Sequence, residues 1–187
     1  MNHYLEIRVR PDPELPAVHV MSKLLGKLHS TLAIRRSTDI GISFPRLASD
    51  RRSLGDVLRL HGSVSALDTL LATPFMTGLH DHVQATILTL VPTRAQHRHV
   101  RRLQTKSSVE RLRRRQMRRH GYSEAEALER VPESVERRLE QPYLTVRSAS
   151  TGQSFPLFIE HGPLLDSPQS GSFSTYGLSL GATVPWF

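Results

Sequence analysis

The chain contains no cysteine. That excludes a disulfide framework, a thiolate zinc site and a cysteine nucleophile, and it suits a reducing compartment. No apolar run approaches the roughly 20 residues that cross a bilayer. The opening MNHYLEIRVR lacks the apolar h-region of a signal peptide and begins at once with strand-like alternation. A cytoplasmic protein without a membrane partner is therefore expected. Acids are scattered: Glu14, Asp39, Asp56, Asp68 and Asp81 stand far apart, and the acid-rich Glu124–Glu140 is interleaved with Arg130, Arg137 and Arg138. No carboxylate cluster of the kind that holds catalytic cations is evident. His80-x-His82 and His97-x-His99 each place two imidazoles on one face if extended, but two ligands without a third or fourth define no metal site. Ser148 lies in RSASTG, which is not the G-x-S-x-G turn of a hydrolase nucleophile.

What the sequence does have is positive charge in one place. Arg94–His120 holds 11 of the 25 Lys and Arg residues in 27 positions, against the single acid Glu110. The rest of the chain carries 14 bases and 16 acids, so a nearly neutral body bears one cationic feature. Such a feature suits a polyphosphate backbone, because each neutralised phosphate releases condensed counterions. Ser107–His120 reads as a helix. Ser107-x-x-Glu110 is a capping box, and Gly121 stands where a left-handed residue ends a helix. At about 100° per residue Val109, Leu112 and Met117 share one side. Arg111, Arg114, Arg115 and Arg118 share the other, with Arg119 at its edge, and Arg113 falls near the apolar side, where a long side chain snorkels. A solvated basic helix face is the ordinary alternative; nine bases in Arg101–Arg119 with little local compensation favour a nucleic-acid contact.

The 187 residues suffice for one domain or two small ones with a real core. Tyr4–Arg10 alternates apolar and charged residues, as a half-buried strand does. Met21, Leu24, Leu25, Leu28 and Leu32 recur at helical spacing. Asp39–Phe44 and Val57–His61 read as strands, Ser65–Ala72 as a short helix, and Val83–Val91 as a further strand closed by Pro92. The order βαββαβ is that of a ferredoxin-like unit, with both helices on one face of an antiparallel sheet. The expected class is α+β: a ferredoxin-like domain at residues 1–94, then a less regular α+β domain at 95–187 that carries the arginine-rich helix. In that second part Ser123-x-x-Glu126 is another capping box, opening a helix to about Val131, and Glu133–Glu140 is a candidate for a short further helix. Strand candidates follow at Tyr143–Arg147, Phe155–Glu160 and Phe173–Tyr176. Seven aromatics (Tyr143, Phe155, Phe158, Phe173, Tyr176, Trp186 and Phe187) lie beyond residue 140; they suit a core, and any that are exposed suit base stacking.

Metal-free RNA cleavage asks little of a protein, because the ribose 2′-hydroxyl supplies the nucleophile. What remains is a proton-transfer group and a rigid grip, and an imidazole suits the first near neutral pH. Of the ten histidines, His29 is among the better placed, beside the apolar stripe of the first helix between Leu25 and Leu32 and near Gly26 and Ser22. Spacing alone does not choose among the ten, and for His29 a core-edge histidine satisfied by its neighbours is the reading the residues favour over a catalytic one.

Several stretches together carry a family resemblance: MNHYLEIRVRPDPELP, GKLH around His29, LQTKSSVERLRRRQMRRH, RSASTGQSF, IEHGPL and the terminal TYGLSLGATVPWF. Over nearly the full length they resemble the CRISPR-repeat-processing endoribonuclease of type I-F systems, within the RAMP superfamily. The resemblance implies a metal-independent enzyme, with no cofactor, that cuts precursor crRNA at the 3′ base of each repeat hairpin. The product ends are a 2′,3′-cyclic phosphate and a 5′-hydroxyl. It implies that His29 transfers a proton, that Ser148 positions the 2′-hydroxyl and that Tyr176 orients the site. Arg102 and Gln104 match residues that read bases low in the stem, and Arg114, Arg115, Arg118, Arg119 and His120 match the helix that enters the hairpin's major groove. That groove is normally too narrow for side chains, but a short stem closed by a loop opens it at one end. Phe155 matches an aromatic that stacks on the terminal base pair, and Ser150 and Thr151 match a segment bordering the active site. The implied partners are the repeat hairpin, as precursor and as product, and the other subunits of the type I-F surveillance complex. A non-catalytic hairpin-binding subunit is the alternative, and the basic helix alone also permits a DNA-binding regulator. One departure stands out: Gly177 and Gly181 are followed by Ala182 where the family's C-terminal loop would have another glycine.

Overall fold

A computed structural model describes residues 1–48, 53–104, 109–132, 139–148 and 151–187. Ser107 of the first capping box, Ser150 and most of Glu133–Glu140 lie outside the described residues. The first strands and helices are β1 (His3–Val9), α1 (Ala17–Arg35), β2 (Gly41–Ser43), β3 (Val57–Gly62), α2 (Val64–Leu71), β4 (Val83–Ala85) and β5 (Thr89–Leu90). There follow β6 (Gln96–Arg98), β7 (Val100–Leu103), α3 (Val109–His120), α4 (Glu124–Arg130), β8 (Tyr143–Arg147), β9 (Ser154–His161), β10 (Ser172–Phe173), β11 (Ser179–Leu180) and β12 (Val184–Trp186). The fold is mixed α and β with several antiparallel sheets. It divides into two compact units, Met1–Arg102 with Gln141–Phe187, and Leu103–Glu140.

In the larger unit the main sheet runs β2-β3-β1-β4, with β5 also on β1. Alternation on β1 decides its faces: Leu5, Ile7 and Val9 are buried and meet Leu60 and Leu58 of β3 across the ladder. α1 lays Val20, Met21, Leu24, Leu25, Leu28 and Leu32 into the same core. Burying each such side chain is worth about 1.5–3 kcal/mol. The helix stops at Arg36, which takes a left-handed conformation and donates its N–H to Ala33 O, while Ser37 N–H reaches Leu32 O. Ser63 caps α2 by accepting the Ala66 N–H. A separate three-stranded sheet has the order β7-β9-β8, and β12 pairs with β6.

Two expected strands come out differently. Val83–Val91 is not continuous. Its register against β1 slips by one residue, from Ile7↔Ala85 to Tyr4↔Thr89. The extra residue is a bulge held by Thr86, whose N–H goes to Glu6 O and whose Oγ1 accepts the Glu6 N–H. A bulge reverses the alternation beyond it, which accounts for Ile87 being 83% exposed in an otherwise apolar run. Phe173–Tyr176 is a strand only at Ser172–Phe173, and Tyr176 lies in the turn to β11.

β3 is buried along its whole length because both sheet faces are covered. On one of them Arg59 donates from Nε and Nη2 to Glu6 Oε1 and from Nη1 to the Phe187 carbonyl, with its guanidinium 4.0 Å from the Phe187 ring centroid. Trp186 lies under the Arg98 guanidinium at 4.4 Å. The VPWF terminus is therefore clamped onto the sheet. Nearby, His61 is fully buried; its Nε2 lies 2.8 Å from Ser43 Oγ, and its Nδ1 has no partner. Burial, reinforced by the Arg59 guanidinium, pushes its pKa from 6.5 down to about 3. The unfolded chain takes up this proton near pH 6.5 and the folded chain does not, so the associated stability is complete above pH 6.5 and drains away toward pH 3. The slope is at most about 1.4 kcal/mol per pH unit. Urea unfolding at pH 7, 6 and 5 is expected to show His61→Leu losing less stability per pH unit than the wild type. Parallel curves would refute this.

The smaller unit contains α3 and α4, packed on each other. α3 (VERLRRRQMRRH) carries six arginines. Val109 is buried, Leu112 and Met117 are half-buried, and Arg111, Arg114, Arg115, Arg118 and Arg119 are exposed. Arg113 does snorkel: half-buried, it donates Nε–H to the Val131 carbonyl at 3.0 Å. Gly121 at φ 70° ends the helix, its N–H bonded to Met117 O. At α4 the Ser123–Glu126 capping box is complete in both directions, and its hydrogen bonds hold the Glu126 carboxyl below its usual pKa.

Candidate functional site

His29 projects from α1 between two buried leucines, Leu25 and Leu32, and is itself half-buried. Its ring lies flat on Tyr176, with centroids 3.7 Å apart and planes 5° apart. Nδ1 sits 3.1 Å from the Thr175 carbonyl oxygen. A carbonyl only accepts, so Nδ1 carries the hydrogen. In the neutral ring the lone pair is then on Nε2. The imidazole is thus fixed in plane by the stack and in tautomer by the backbone.

The partner that fixes it is a tight turn. Gly177 N–H bonds to Ser174 O, Ser174 N–H to Leu178 O, and Ser174 Oγ accepts from Tyr176 and Leu178. Gly177 adopts φ 72°, and a Cβ there would stand 2.6 Å from Ile42 Cγ2; its carbonyl accepts the Ile42 N–H. The turn is therefore locked to β2, and only glycine fits at that point. Burial raises the Tyr176 pKa, opposed by the Arg102 guanidinium, so the phenol stays neutral. Ala182, where a further glycine was expected, is buried, and its carbonyl lies 3.1 Å from His99 Nδ1.

Ser148 directly follows β8. Its N–H goes to Gln153 O, its carbonyl accepts from Gly152, and its Oγ accepts the Thr151 N–H at 3.2 Å. Arg147 Nε–H reaches Gly152 O. Ser148 is thus tied by hydrogen bonds to Thr151, Gly152 and Gln153, and Thr151 is exposed. Arg102 lies exposed on β7 with its guanidinium 5.2 Å from the Phe155 ring centroid on β9.

The larger unit therefore holds His29, Ser148, Thr151, Tyr176, Arg102 and Phe155. His29 touches Tyr176, and Arg102 touches Phe155. Gln104, Arg114, Arg115, Arg118, Arg119 and His120 belong to the smaller unit. There His120 stacks on Tyr122 at 5.3 Å, and Arg130 covers the same ring at 4.3 Å. Sequence reading missed Thr175, which acts through its backbone and so leaves no side-chain signal. Among the described residues the two histidine pairs do not gather a third ligand. His80 and His82 lie in a turn, while His99 is buried between Ala182 O and Gln169 Oε1.

An imidazole with one nitrogen fixed, and a polycationic helix elsewhere in the chain, are the equipment of a nucleic-acid-processing protein. The chain belongs to the CRISPR-associated protein (Cas_Csy4) family, whose model matches residues 4–187. It is 52% identical over 187 residues, the whole of both chains, to the CRISPR-associated endonuclease Cas6/Csy4 of Pseudomonas aeruginosa (strain UCBPP-PA14). To the protein of the same name from Escherichia coli (strain UTI89 / UPEC) it is 46% identical, again over the whole of both chains.

Proposed function

We propose that the protein is the endoribonuclease that cuts precursor crRNA at the 3′ base of the repeat hairpin without a metal ion, and that it then remains on the crRNA. The observation that carries this reading is the oriented His29, half-buried, stacked on Tyr176 and tied through Nδ1 to Thr175 O. Such a ring presents Nε2 for proton transfer without having to rearrange. The 2′-oxygen upstream of the scissile phosphate bonds to phosphorus as the bond to the 5′-oxygen breaks. The 2′-hydroxyl proton passes to the Nε2 lone pair of His29 and the imidazolium gives a proton to the departing 5′-oxygen, leaving a cyclic phosphate and a 5′-hydroxyl. In this reading His29 transfers a proton, Ser148 positions the 2′-hydroxyl, and Tyr176 holds the ring. No charge on the protein besides the imidazole need change.

Arg102 and Gln104 read bases low in the stem, Arg being suited to bidentate contact with guanine. Phe155, beside Arg102, takes the terminal base pair, and Ser150 and Thr151 border the cut. Arg114, Arg115, Arg118, Arg119 and His120 grip phosphates. β1–β4 with α1 and α2 form the ferredoxin-like domain of residues 1–94, a reading supported by the strand order β2-β3-β1-β4. Residues 95–187 form the hairpin-binding domain, of which 95–102 and 141–187 group compactly with the first. The protein acts in the cytoplasm, where other subunits of the crRNA-guided complex join it; among the described residues no helix is long and apolar enough to cross a membrane.

The test is incubation with a repeat hairpin in EDTA. Cleavage is expected there, and replacement of the upstream 2′-hydroxyl by hydrogen is expected to stop it with binding nearly intact. Cleavage that appears only on adding magnesium would reject the metal-free mechanism. A wild-type protein that binds the hairpin and never cuts it would favour a purely structural subunit.

A further inference from the structure

β8 is the outer strand of the β7-β9-β8 sheet, and its free side runs along α1. Between them lies a groove of about 500 Å³ lined by Val18, His19, Ser22 and Lys23 of α1 and by Tyr143 and Thr145 of β8. Its character is not that of a core edge. His19, Lys23 and Thr145 are exposed, and Tyr143 is 51% exposed, braced by Phe158 at 5.1 Å. A second hollow of about 260 Å³ shares Val18 and Tyr143 and adds Leu144. Lys23 and Thr145 are the most C-terminal residues of α1 and β8 that line the larger hollow.

Followed toward their C-terminal ends, the two elements lead to the proposed reacting groups. From Lys23 to His29 the helix advances about 9 Å, and from Thr145 to Ser148 the strand advances about 10 Å. The groove thus begins one or two nucleotides from the residues assigned to the cut. It lies on the β8 edge opposite β9, which carries Phe155. An aromatic face with a flexible cation beside it is the combination that holds unpaired nucleotides, base on ring and phosphate on ammonium. We propose that this groove binds single-stranded RNA on the 3′ side of the scissile phosphate, with a base on Tyr143 and a phosphate at Lys23. The inference rests on the endoribonuclease reading given above. The nucleotides held there leave with the 5′-hydroxyl product, so the groove tightens substrate and not the retained hairpin.

The experiment measures affinity of the full chain for hairpins made uncleavable by a 2′-deoxy sugar upstream of the cut. They carry one or five unpaired nucleotides 3′ of the scissile phosphate. The longer tail is expected to bind about tenfold more tightly, as one stacked base and one neutralised phosphate would provide. Tyr143→Ala and Lys23→Glu are each expected to remove most of that gain while leaving the one-nucleotide hairpin within about twofold of wild type, as a change on an exposed face should. Equal affinity for the two tails, or a gain that survives both substitutions, overturns the proposal. So does a gain that the substitutions remove from a 5′ tail of the same length. Failure of wild type to cut the corresponding all-ribose hairpin would sink the enzymatic reading instead, and the affinities would still be readable.

Discussion

His29→Ala is expected to slow hairpin cleavage by about 10²–10⁴, the usual worth of a positioned proton-transfer group, while the hairpin Kd changes by less than about threefold. The expectation follows from how the ring is held. A histidine that served only the core would be covered, as His61 is and as His99 is between Ala182 O and Gln169 Oε1. His29 is instead half-buried, with Nδ1 committed to Thr175 O and one face on Tyr176. Loss of the stack costs stability as well, about 1 kcal/mol, so Tyr176→Phe is the control. It keeps the ring stacked, and cleavage is expected to fall far less than in His29→Ala. Single-turnover rates on one hairpin for both variants decide the matter. A His29→Ala rate within tenfold of wild type at normal thermal stability would remove His29 from the chemistry.

The second large effect concerns α3, the helix proposed to grip the RNA. Replacing Arg114, Arg115, Arg118 and Arg119 together by glutamine is expected to weaken hairpin binding on the order of 10²–10³-fold, since each charge-assisted hydrogen bond is worth about 1 kcal/mol or more. The plot of log affinity against log salt is expected to flatten by about 3, because each phosphate the protein neutralises contributes roughly 0.7–0.9 to that slope. Glutamine keeps the helix propensity of arginine, so α3 itself should persist. Arg113 is excluded from the set because it donates to the Val131 carbonyl and serves the fold of its unit. Arg113→Gln is accordingly expected to lower thermal stability with little change in the salt slope. An unchanged slope in the fourfold variant would place the phosphate grip elsewhere.

These two expectations draw on different kinds of legibility. The cationic helix was visible because charge density and 3.6-residue periodicity are local: Val109, Leu112 and Met117 on one side and the exposed arginines on the other follow from spacing alone. The position of Arg113 was readable for the same reason, though its acceptor, 18 residues away, was not. The Ser123–Glu126 box, four residues long, was read whole. β8 is legible at its observed bounds because Leu144 and Val146 alternate with exposed neighbours, and β9 within a residue of its bounds because its apolar run is continuous.

What failed was non-local. Val83–Val91 has a continuous strand composition, and only Thr86 meeting the backbone of Glu6, 80 residues away, breaks it with a bulge. Tyr176 reads as strand but sits in a turn, because the Gly177 carbonyl accepts the Ile42 N–H and its missing Cβ admits Ile42. β6, β7 and β12 do not stand out in the sequence because they are short: β6 and β12 form where VPWF closes back on residues 96–98, and β7 forms where it pairs with β9. By itself the sequence determined the elements whose stabilising partners lie within a turn or two of helix or along one strand, together with the cation density of a nucleic-acid binder. Only tertiary structure decided that His29 meets a carbonyl 146 residues away and so carries its free lone pair on Nε2. The physical reason is that a tautomer is set by a hydrogen-bond partner, and a backbone carbonyl is the same group at every position in the chain until folding selects one.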